Sequence, residues 1–264
     1  MLEKKHKDHR VSSFFLFAHQ DDETGVFQLI CNELDAGHDV HCFYLTSGSF
    51  SGLASPQRNQ ESLNVLLDIG VEKNNIHFTG SERQIPDCSL VDHLDFVLQL
   101  IGSELKFAPP ESKLYIPAWE AGHPDHDALH VAAVVAANEN NFLSTTYQYA
   151  LYNGHKCFGS MFRVLSPLEA NGSIFKANIP ILNRMKFLRY CLSYPSQLKS
   201  WIGLFPFFFA HYLFYGFQTW QPVSLERIFE LPHKGDLYFI RRGFAEKADF
   251  YSKINQFLSI CLPN

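Results

Sequence analysis

The sequence lacks a Cys-x-x-Cys pair, an excess of basic residues and a low-complexity linker. Its six cysteines are scattered through 264 residues, a length that buries a sizeable core without a disulfide framework. We therefore expect reduced thiols and a cytoplasmic protein. Lysine and arginine number 22 against 27 aspartate and glutamate residues, so there is no basic field for nucleic-acid phosphates. We expect no nucleic-acid partner.

The N-terminal segment has some features of a signal peptide. Residues 1–10 are basic and precede an apolar run, but that run is short and has no small-residue cleavage site. The sequence therefore predicts that no signal peptide is present.

Apolar, strand-like runs alternate with helix-length segments over the first part of the chain. Strands are predicted at residues 13–18, 40–46, 76–79, 114–118 and 146–152. Helices are predicted at residues 24–36, 56–68, 90–106 and 127–138. This alternation is typical of an α/β, Rossmann-like fold with a mostly parallel sheet and helices on both faces.

The alternation fades after about residue 155. We predict a catalytic core at 1–155 and a C-terminal extension at 156–264 that packs on the core. Within the extension the pattern predicts a helix at 181–194, a strand at 236–241 and a terminal helix at 245–258.

Two clusters of histidine and acidic residues follow predicted strands. His19–Glu23 has the sequence His-Gln-Asp-Asp-Glu, and His123–His126 has the sequence His-Pro-Asp-His. Each cluster alone has a simpler explanation, as a helix-capping turn or a loop histidine. Together they favour a shared site, because ligands bind at the carboxyl ends of strands in open α/β sheets.

The spacing of these residues suits a catalytic zinc site. His19 and Asp22 lie three residues apart on one turn, and His126 can supply a third ligand. Asp21 is then left free to take a proton from water that the ion activates. His123 as an imidazolium can stabilise an oxyanion, and Asp125 can hold the tautomer of a histidine.

Both clusters resemble motifs of the LmbE-like, or N-acetylglucosaminyl-phosphatidylinositol de-N-acetylase (PIG-L), family of zinc-dependent deacetylases. The family motif Ala-His-Pro-Asp-Asp-Glu is met at 18–23 except that Gln20 replaces proline, and His-Pro-Asp-His is met in full at 123–126. The resemblance implies metal ligands at His19, Asp22 and His126, with Zn²⁺ as the cofactor. It implies a catalytic base at Asp21 and an oxyanion-stabilising histidine at His123.

Further family-like patterns suggest substrate contacts. Thr46-Ser47-Gly48, followed by Arg58 and Glu61, resembles a Thr-x-Gly and Arg-x-x-Glu pattern in which the arginine lies near the sugar. Asp87 occupies a position where the family often has a substrate-binding acid. A surface ion pair between Arg58 and Glu61, and a solvated loop position for Asp87, are the alternatives. Residues 194–197, Tyr-Pro-Ser-Gln, resemble a family signature without identifying a ligand.

The segment 201–220 is aromatic and carries no charge. Core or oligomer packing, contact with a membrane surface or lipid-linked sugar, and a membrane span are three open interpretations. A homo-oligomer and a peripheral membrane location both follow from this segment as options.

The leading functional hypothesis is a zinc-dependent hydrolase that removes an N-acetyl group from an amino sugar or glycoconjugate. Two alternatives are open: an Fe²⁺ enzyme that uses two histidines and one carboxylate, and a non-catalytic sugar-binding protein of the same fold. The sequence does not name the sugar.

Overall fold

The structure, a computed structural model, describes residues 10–52 and 55–263. The basic segment that bears on a signal peptide lies, apart from Arg10, outside the described residues. Nine strands are present in the described ranges. In chain order they are β1 Ser12–Phe17, β2 Asp39–Tyr44, β3 Ile76–His77, β4 Lys113–Pro117, β5 Thr146–Tyr149, β6 Tyr152–Asn153, β7 Arg163–Val164, β8 Phe175–Asn178 and β9 Phe217–Pro222.

Seven of these strands form one sheet in the order β3-β2-β1-β4-β5-β9-β8. The first five strands pair in parallel, and β9 joins β5 and β8 in antiparallel pairing. The chain leaves β1 toward β2 and β3, and later returns to the other side of β1 as β4. The gap between β1 and β4 is therefore the switch point where ligands bind in open α/β sheets.

Strand β1 is buried on both faces. Phe14 and Leu16 contribute to one hydrophobic cluster, while Phe15 and Phe17 contribute to the cluster on the opposite face. Side chains of a strand alternate between faces, so a continuous apolar run indicates helices on both sides. The predicted α/β fold with a mostly parallel, two-sided sheet is confirmed.

The helices cover the two faces of this sheet. They are α1 Phe27–Asp35, α2 Pro56–Ile69, α3 Thr79–Glu82, α4 Leu94–Leu105, α5 Pro124–Glu139, α6 Ile181–Cys191, α7 Leu198–Ala210, α8 Tyr238–Arg241 and α9 Lys247–Cys261. Apolar residues of α4, α5 and α9 share one cluster, and those of α1 share the other with β2. The predicted helices are present, and α5 begins earlier than expected because Pro124 suits its first position.

The C-terminal part corrects one prediction and adds two strands. Residues 236–241 do not form a strand, because Tyr238–Arg241 is a short helix with Tyr238 and Phe239 buried. A short apolar run does not distinguish a strand from a buried helix turn. Strands β8 and β9 extend the main sheet, although the sequence pattern did not predict them. The domain division at residue 155 stays a prediction.

The aromatic segment 201–220 forms most of α7, a π-helical turn at His211–Tyr215 and most of β9. Gly216 ends the helical part in a left-handed conformation, with φ of 60°. Phe208 and Tyr212 are buried, while Phe214 is 75% exposed. Within the described residues no helix combines the length and apolar character that a membrane crossing requires.

Candidate active site

The two histidine-aspartate clusters meet at the switch point of the sheet. His19–Glu23 follows β1, and His123–His126 follows β4 and opens α5. The parallel pairing of β1 with β4 places both carboxyl ends at the same edge. The site thus combines residues more than one hundred positions apart in the chain.

Three buried side chains direct ligand atoms toward one point. Nε2 of His126 lies 3.0 Å from Oδ1 of Asp22, and Nδ1 of His19 lies 3.3 Å from Nε2 of His126. Nδ1 of His19 and Oδ2 of Asp22 are 3.6 Å apart. Ligands about 2.0–2.1 Å from a tetrahedral zinc ion lie roughly 3.3–3.4 Å from one another. Donor type and spacing therefore fit a zinc ion held by His19, Asp22 and His126.

Charge around these atoms also favours a cation. Burial alone would raise the pKa of Asp22, but the charges and hydrogen bonds of His126 and His19 hold it well below its usual range. Burial lowers the pKa of His19, and this is outweighed by its contacts with Asp125 and Asp22, so its pKa is raised. The pocket thus stabilises positive charge at the point where the donor atoms meet.

Asp125 orients His19 by contacting the ring nitrogen that does not face Asp22 and His126. Its Oδ2 lies 3.0 Å from Nε2 of His19, and its two oxygens accept hydrogen bonds from the backbone N–H groups of Cys88 and Leu90 at 2.6 and 2.9 Å. A carboxylate on the outer nitrogen of a metal-binding histidine fixes the ring and the tautomer. Asp125 therefore keeps Nδ1 of His19 directed toward Asp22 and His126.

Asp21 is next to these ligands but does not share their contacts. Its Oδ1 lies 3.8 Å from Nη2 of Arg58. Its φ of 111° lies in the left-handed region, where a residue other than glycine is strained. Burial raises the pKa of Asp21 to about 8 despite the charge of Arg58. A divalent cation on the adjacent residues would favour the ionised carboxylate.

Glu23 and Tyr194 hold the strained backbone at Asp21. Oε2 of Glu23 accepts a hydrogen bond of 2.9 Å from the Asp21 N–H. Its Oε1 accepts a hydrogen bond from the Tyr194 hydroxyl at 2.8 Å. Two residues on, Ser196 donates to Glu61. The segment 194–197 thus connects the C-terminal part to the turn that carries Asp21, through Tyr194, and to helix α2, through Ser196.

We expect Tyr194→Phe to lower the catalytic rate constant of the hydrolysis expected from the sequence about tenfold, because the loss of one buried hydrogen bond costs about 1–1.5 kcal/mol. The Michaelis constant and metal content should stay unchanged, since neither depends on Glu23. The comparison is with Tyr190→Phe, which removes a hydroxyl that donates to Asp68 away from the cleft. Equal losses in both variants would show that the Tyr194 hydroxyl has no specific effect on Asp21.

Gln20, which replaces the family proline, is fully buried. Its side-chain amide donates a hydrogen bond of 2.7 Å to Oδ1 of Asn59 on α2, and its backbone oxygen accepts one of 3.0 Å from Arg58. Proline would restrain the turn through φ. In this chain hydrogen bonds to α2 restrain it instead, and the ligands on either side keep their positions.

Arg58 and Asp87 meet in the cleft. Arg58 Nη1 lies 3.3 Å from Oδ2 of Asp87, whose Oδ1 accepts a hydrogen bond of 2.9 Å from the Thr46 hydroxyl. Arg58 also donates to the backbone oxygen of Gly48 at 2.7 Å. Glu61 instead contacts Ser196, so the structure does not contain the surface ion pair between Arg58 and Glu61.

His123 faces the cleft from the opposite side. Its Nδ1 accepts a hydrogen bond of 3.2 Å from the Asp125 N–H, which assigns the proton of the neutral ring to Nε2. Burial, together with the charge of His19, lowers the pKa of His123 well below its usual range. The imidazolium expected from the sequence is therefore replaced by a neutral ring with an Nε2–H donor. That nitrogen lies 3.6 Å from Sγ of Cys88.

The eight site residues predicted from the sequence lie together around a cleft of about 570 Å³. Six of them are His19, Asp21, Asp22, Arg58, Asp87 and His123, which line it directly. His126 and Asp125 lie behind its surface. Leu204 and Phe208 of the aromatic segment also line the cleft, and sequence reasoning missed four further lining residues, namely Phe50, Tyr152, Arg242 and Phe244. These come from distant segments, and no local motif marks them.

Comparison with known proteins finds one family that matches part of the chain. Residues 14–137 match the model of the PIG-L family, described as GlcNAc-PI de-N-acetylase. A search of curated proteins found no match. The matched range contains most of β1, all of β2 to β4 and most of α5, and it includes both histidine-aspartate clusters. The resemblance to this family is therefore confirmed over residues 14–137.

Solved structures show the same fold over most of the chain. A teicoplanin-pathway deacetylase triple mutant, Orf2*T, is 17% identical, with a TM-score of 0.57, covering 81% of this chain and 98% of its own. The A40926 pseudoaglycone deacetylase Dbv21 is 17% identical, with a TM-score of 0.57, covering 82% and 97%. The N,N'-diacetylchitobiose deacetylase of Pyrococcus horikoshii is 18% identical, with a TM-score of 0.51, covering 84% and 87%. At these identities the likeness concerns the fold.

Proposed function

We propose that this protein is a metal-dependent hydrolase that removes an N-acetyl group from an amino sugar or glycoconjugate. The observation that carries the proposal is a carboxyl group, Asp21, held in a strained turn beside three converging ligand atoms. A protein that only binds sugar would have no use for such a group. The family of residues 14–137 and the deacetylases of the same fold support the same reaction.

His19, Asp22 and His126 would hold the metal, with zinc as the proposed ion. A zinc ion bound there would polarise the amide carbonyl and make water more acidic. Asp21 accepts the proton of the attacking water, so that the hydroxyl oxygen bonds to the carbonyl carbon. His123 donates from Nε2–H to the developing oxyanion, which disperses its charge. The proton held by Asp21 passes to the leaving nitrogen as the amide bond breaks.

Arg58 and Asp87 would bind sugar hydroxyl groups. Both line the cleft, and their mutual contact at 3.3 Å fixes the orientation of each. We expect Asp87→Asn to raise the Michaelis constant about tenfold, because one charge-assisted hydrogen bond contributes about 1.5–3 kcal/mol. The catalytic rate constant should change much less.

Steady-state kinetics on the Asp87→Asn variant measures this effect. Asp92→Asn removes a carboxylate that pairs with Lys253 at 2.7 Å, away from the cleft, and provides the control. A Michaelis constant that is unchanged in Asp87→Asn would exclude a sugar contact for this side chain.

Helix α7 suggests that the substrate sugar is linked to an apolar group. Leu204 and Phe208 face the cleft, while Phe207 and Phe209 of the same helix are 46% and 41% exposed. A lipid-linked sugar or a membrane surface would cover the exposed phenylalanines of this helix. The cytoplasmic, peripheral location and a homo-oligomer stay predictions.

Acetate release tests the proposal directly. The purified chain is reconstituted with increasing zinc or, without oxygen, with Fe²⁺, because one solved teicoplanin deacetylase is described as a zinc-inhibited form. Substrates are N-acetylglucosamine, its octyl glycoside, N,N'-diacetylchitobiose and a nucleotide-linked N-acetylglucosamine. We expect chelator-sensitive release, faster from the octyl glycoside. Absence of acetate from all four at every metal level would overturn the proposal, and oxygen consumption would favour the Fe²⁺ alternative.

A further inference from the structure

A second cavity, larger than the catalytic cleft, lies in the C-terminal part. It is an open groove of about 1080 Å³ between the loop after β6, strands β8 and β9, and residues 227–234. We call it the C-terminal groove. It shares no lining residue with the catalytic cleft. The proposed reaction does not use it.

The C-terminal groove is positively charged although the chain as a whole has a formal net charge of −5. Two acidic residues line it, and one of them, Glu230, is paired with Arg227. Five cationic side chains also line it, namely Lys156, Arg163, Lys176, Arg227 and Lys234. The groove therefore concentrates positive charge on an acidic protein, and such a surface attracts anions.

Four of these cations are exposed and accessible to a ligand. Within the described ranges, Lys156, Arg163, Lys176 and Lys234 form no ion pair with a carboxylate. Lys176 lies over the ring of Phe217 at 4.4 Å, which holds its ammonium group at the wall of the groove. Cations directed into one cavity without acidic partners favour a ligand that brings the negative charge.

Two histidines at the edge of the groove pack against each other. The ring centroids of His155 and His233 are 4.9 Å apart, and His233 is only 7% exposed. Nδ1 of His155 and Nε2 of His233 have no hydrogen-bond partner among the described residues. Buried polar groups in folded proteins nearly always have partners. Because these nitrogens are themselves buried, it is the cations and the shape of the groove that favour a ligand.

The wall of the groove is fixed by hydrogen bonds. Arg227 Nη2 donates to the backbone oxygen of Pro232 at 2.9 Å, and Gln221 donates to the backbone oxygens of Leu168 and Gly172 at 2.9 and 2.8 Å. The lining also includes apolar side chains such as Leu165 and Ile174. A preformed cavity of this size with apolar walls and a few cations suits a small organic molecule.

We propose that the C-terminal groove binds a small organic anion, one that bears phosphate or carboxylate groups on an apolar or aromatic framework. Lys156, Arg163 and Lys234 would contact the anionic groups, and the apolar wall would contact the framework. This site is separate from the proposed catalytic centre, and its occupancy does not depend on hydrolysis. The proposal therefore stands or falls independently of the proposed function.

Fluorescence titration with pyranine, an aromatic dye with three sulfonate groups, tests this site on the full chain. We expect saturable binding with one site per chain. The triple substitution Lys156→Gln, Arg163→Gln and Lys234→Gln should weaken it at least tenfold. The control triple, Lys73→Gln, Lys106→Gln and Lys247→Gln, alters the net charge equally at exposed positions outside the groove and should weaken binding less than twofold. Circular dichroism verifies that both variants fold.

Competition identifies the chemistry of the anion. Inorganic pyrophosphate and citrate are each titrated against bound pyranine, and stronger displacement by one of them distinguishes a phosphorylated ligand from a carboxylated one. Displacement by either supports the site. Absence of saturable pyranine binding, or equal weakening in the two triple variants, would overturn the proposal, because the latter outcome reports only the overall charge of the protein.

Discussion

Replacing Asp21 with asparagine should lower the catalytic rate constant by about 10²–10⁴-fold while zinc binding is retained. General base catalysis contributes this range, and the asparagine side chain cannot take up the proton of water. Asparagine also tolerates positive φ, so the strained turn at 111° should persist. Metal analysis and steady-state kinetics on the same preparation measure both quantities.

The matched variant is Asp22→Asn, one residue along the chain. Oδ1 of Asp22 lies 3.0 Å from Nε2 of His126, so this substitution weakens a ligand and should lower both metal content and activity. The two neighbouring substitutions therefore distinguish a general base at Asp21 from a metal ligand at Asp22. Turnover that survives in Asp21→Asn would remove Asp21 as the base, and loss of metal from that variant would place Asp21 among the ligands.

The candidate metal site could be predicted because its residues fall in two short clusters, each of which is local in sequence. His19, Asp21 and Asp22 occupy one turn, and the apolar run before them predicts a strand whose carboxyl end faces the ligand edge. The second cluster likewise follows a predicted strand, β4, at its carboxyl end. Parallel pairing of the two strands then brings the clusters together without any further information from the chain.

The protonation state of His123 could not be predicted in the same way. The sequence indicated a histidine near an oxyanion, but not that the Asp125 N–H occupies Nδ1 and that burial disfavours the charged ring. The hydrogen bond depends on the backbone at the start of α5, and the burial depends on the residues that pack over it. The role proposed for His123 therefore changes from a cation to a neutral hydrogen-bond donor.

The C-terminal part shows where sequence patterns fail. Arg242 and Phe244 reach the catalytic cleft from a segment with no periodic pattern, and β8 and β9 find their place only because β5 leaves a sheet edge to pair with. Besides the periodicity of its two predicted helices, the Tyr-Pro-Ser-Gln signature at 194–197 was a useful signal there. It marks Tyr194, whose hydroxyl reaches Glu23 across 171 positions of the chain.

Removal of the His126 ring should abolish metal binding and activity together. His126 is 1% exposed, and its Nε2 is within 3.3 Å of both other proposed ligands. A ligand whose free concentration is one hundred times its dissociation constant adds about 2.7 kcal/mol to the free energy of unfolding. For a chain of this size that corresponds to a melting temperature roughly 5–10 °C higher. Chelator should therefore lower the melting temperature of the native protein and leave that of His126→Ala unchanged.

His130→Ala provides the control for this experiment, because His130 lies one turn further along α5 and is also 1% exposed. Its Nδ1 contacts the backbone oxygen of Pro117 at 2.8 Å and not the proposed ligands, so its loss leaves a similar cavity in the same helix. Both variants should be less stable than the native chain, but only His130→Ala should still respond to chelator. A chelator response that persists in His126→Ala would show that the metal binds elsewhere, and its loss from both variants would assign the effect to packing of α5.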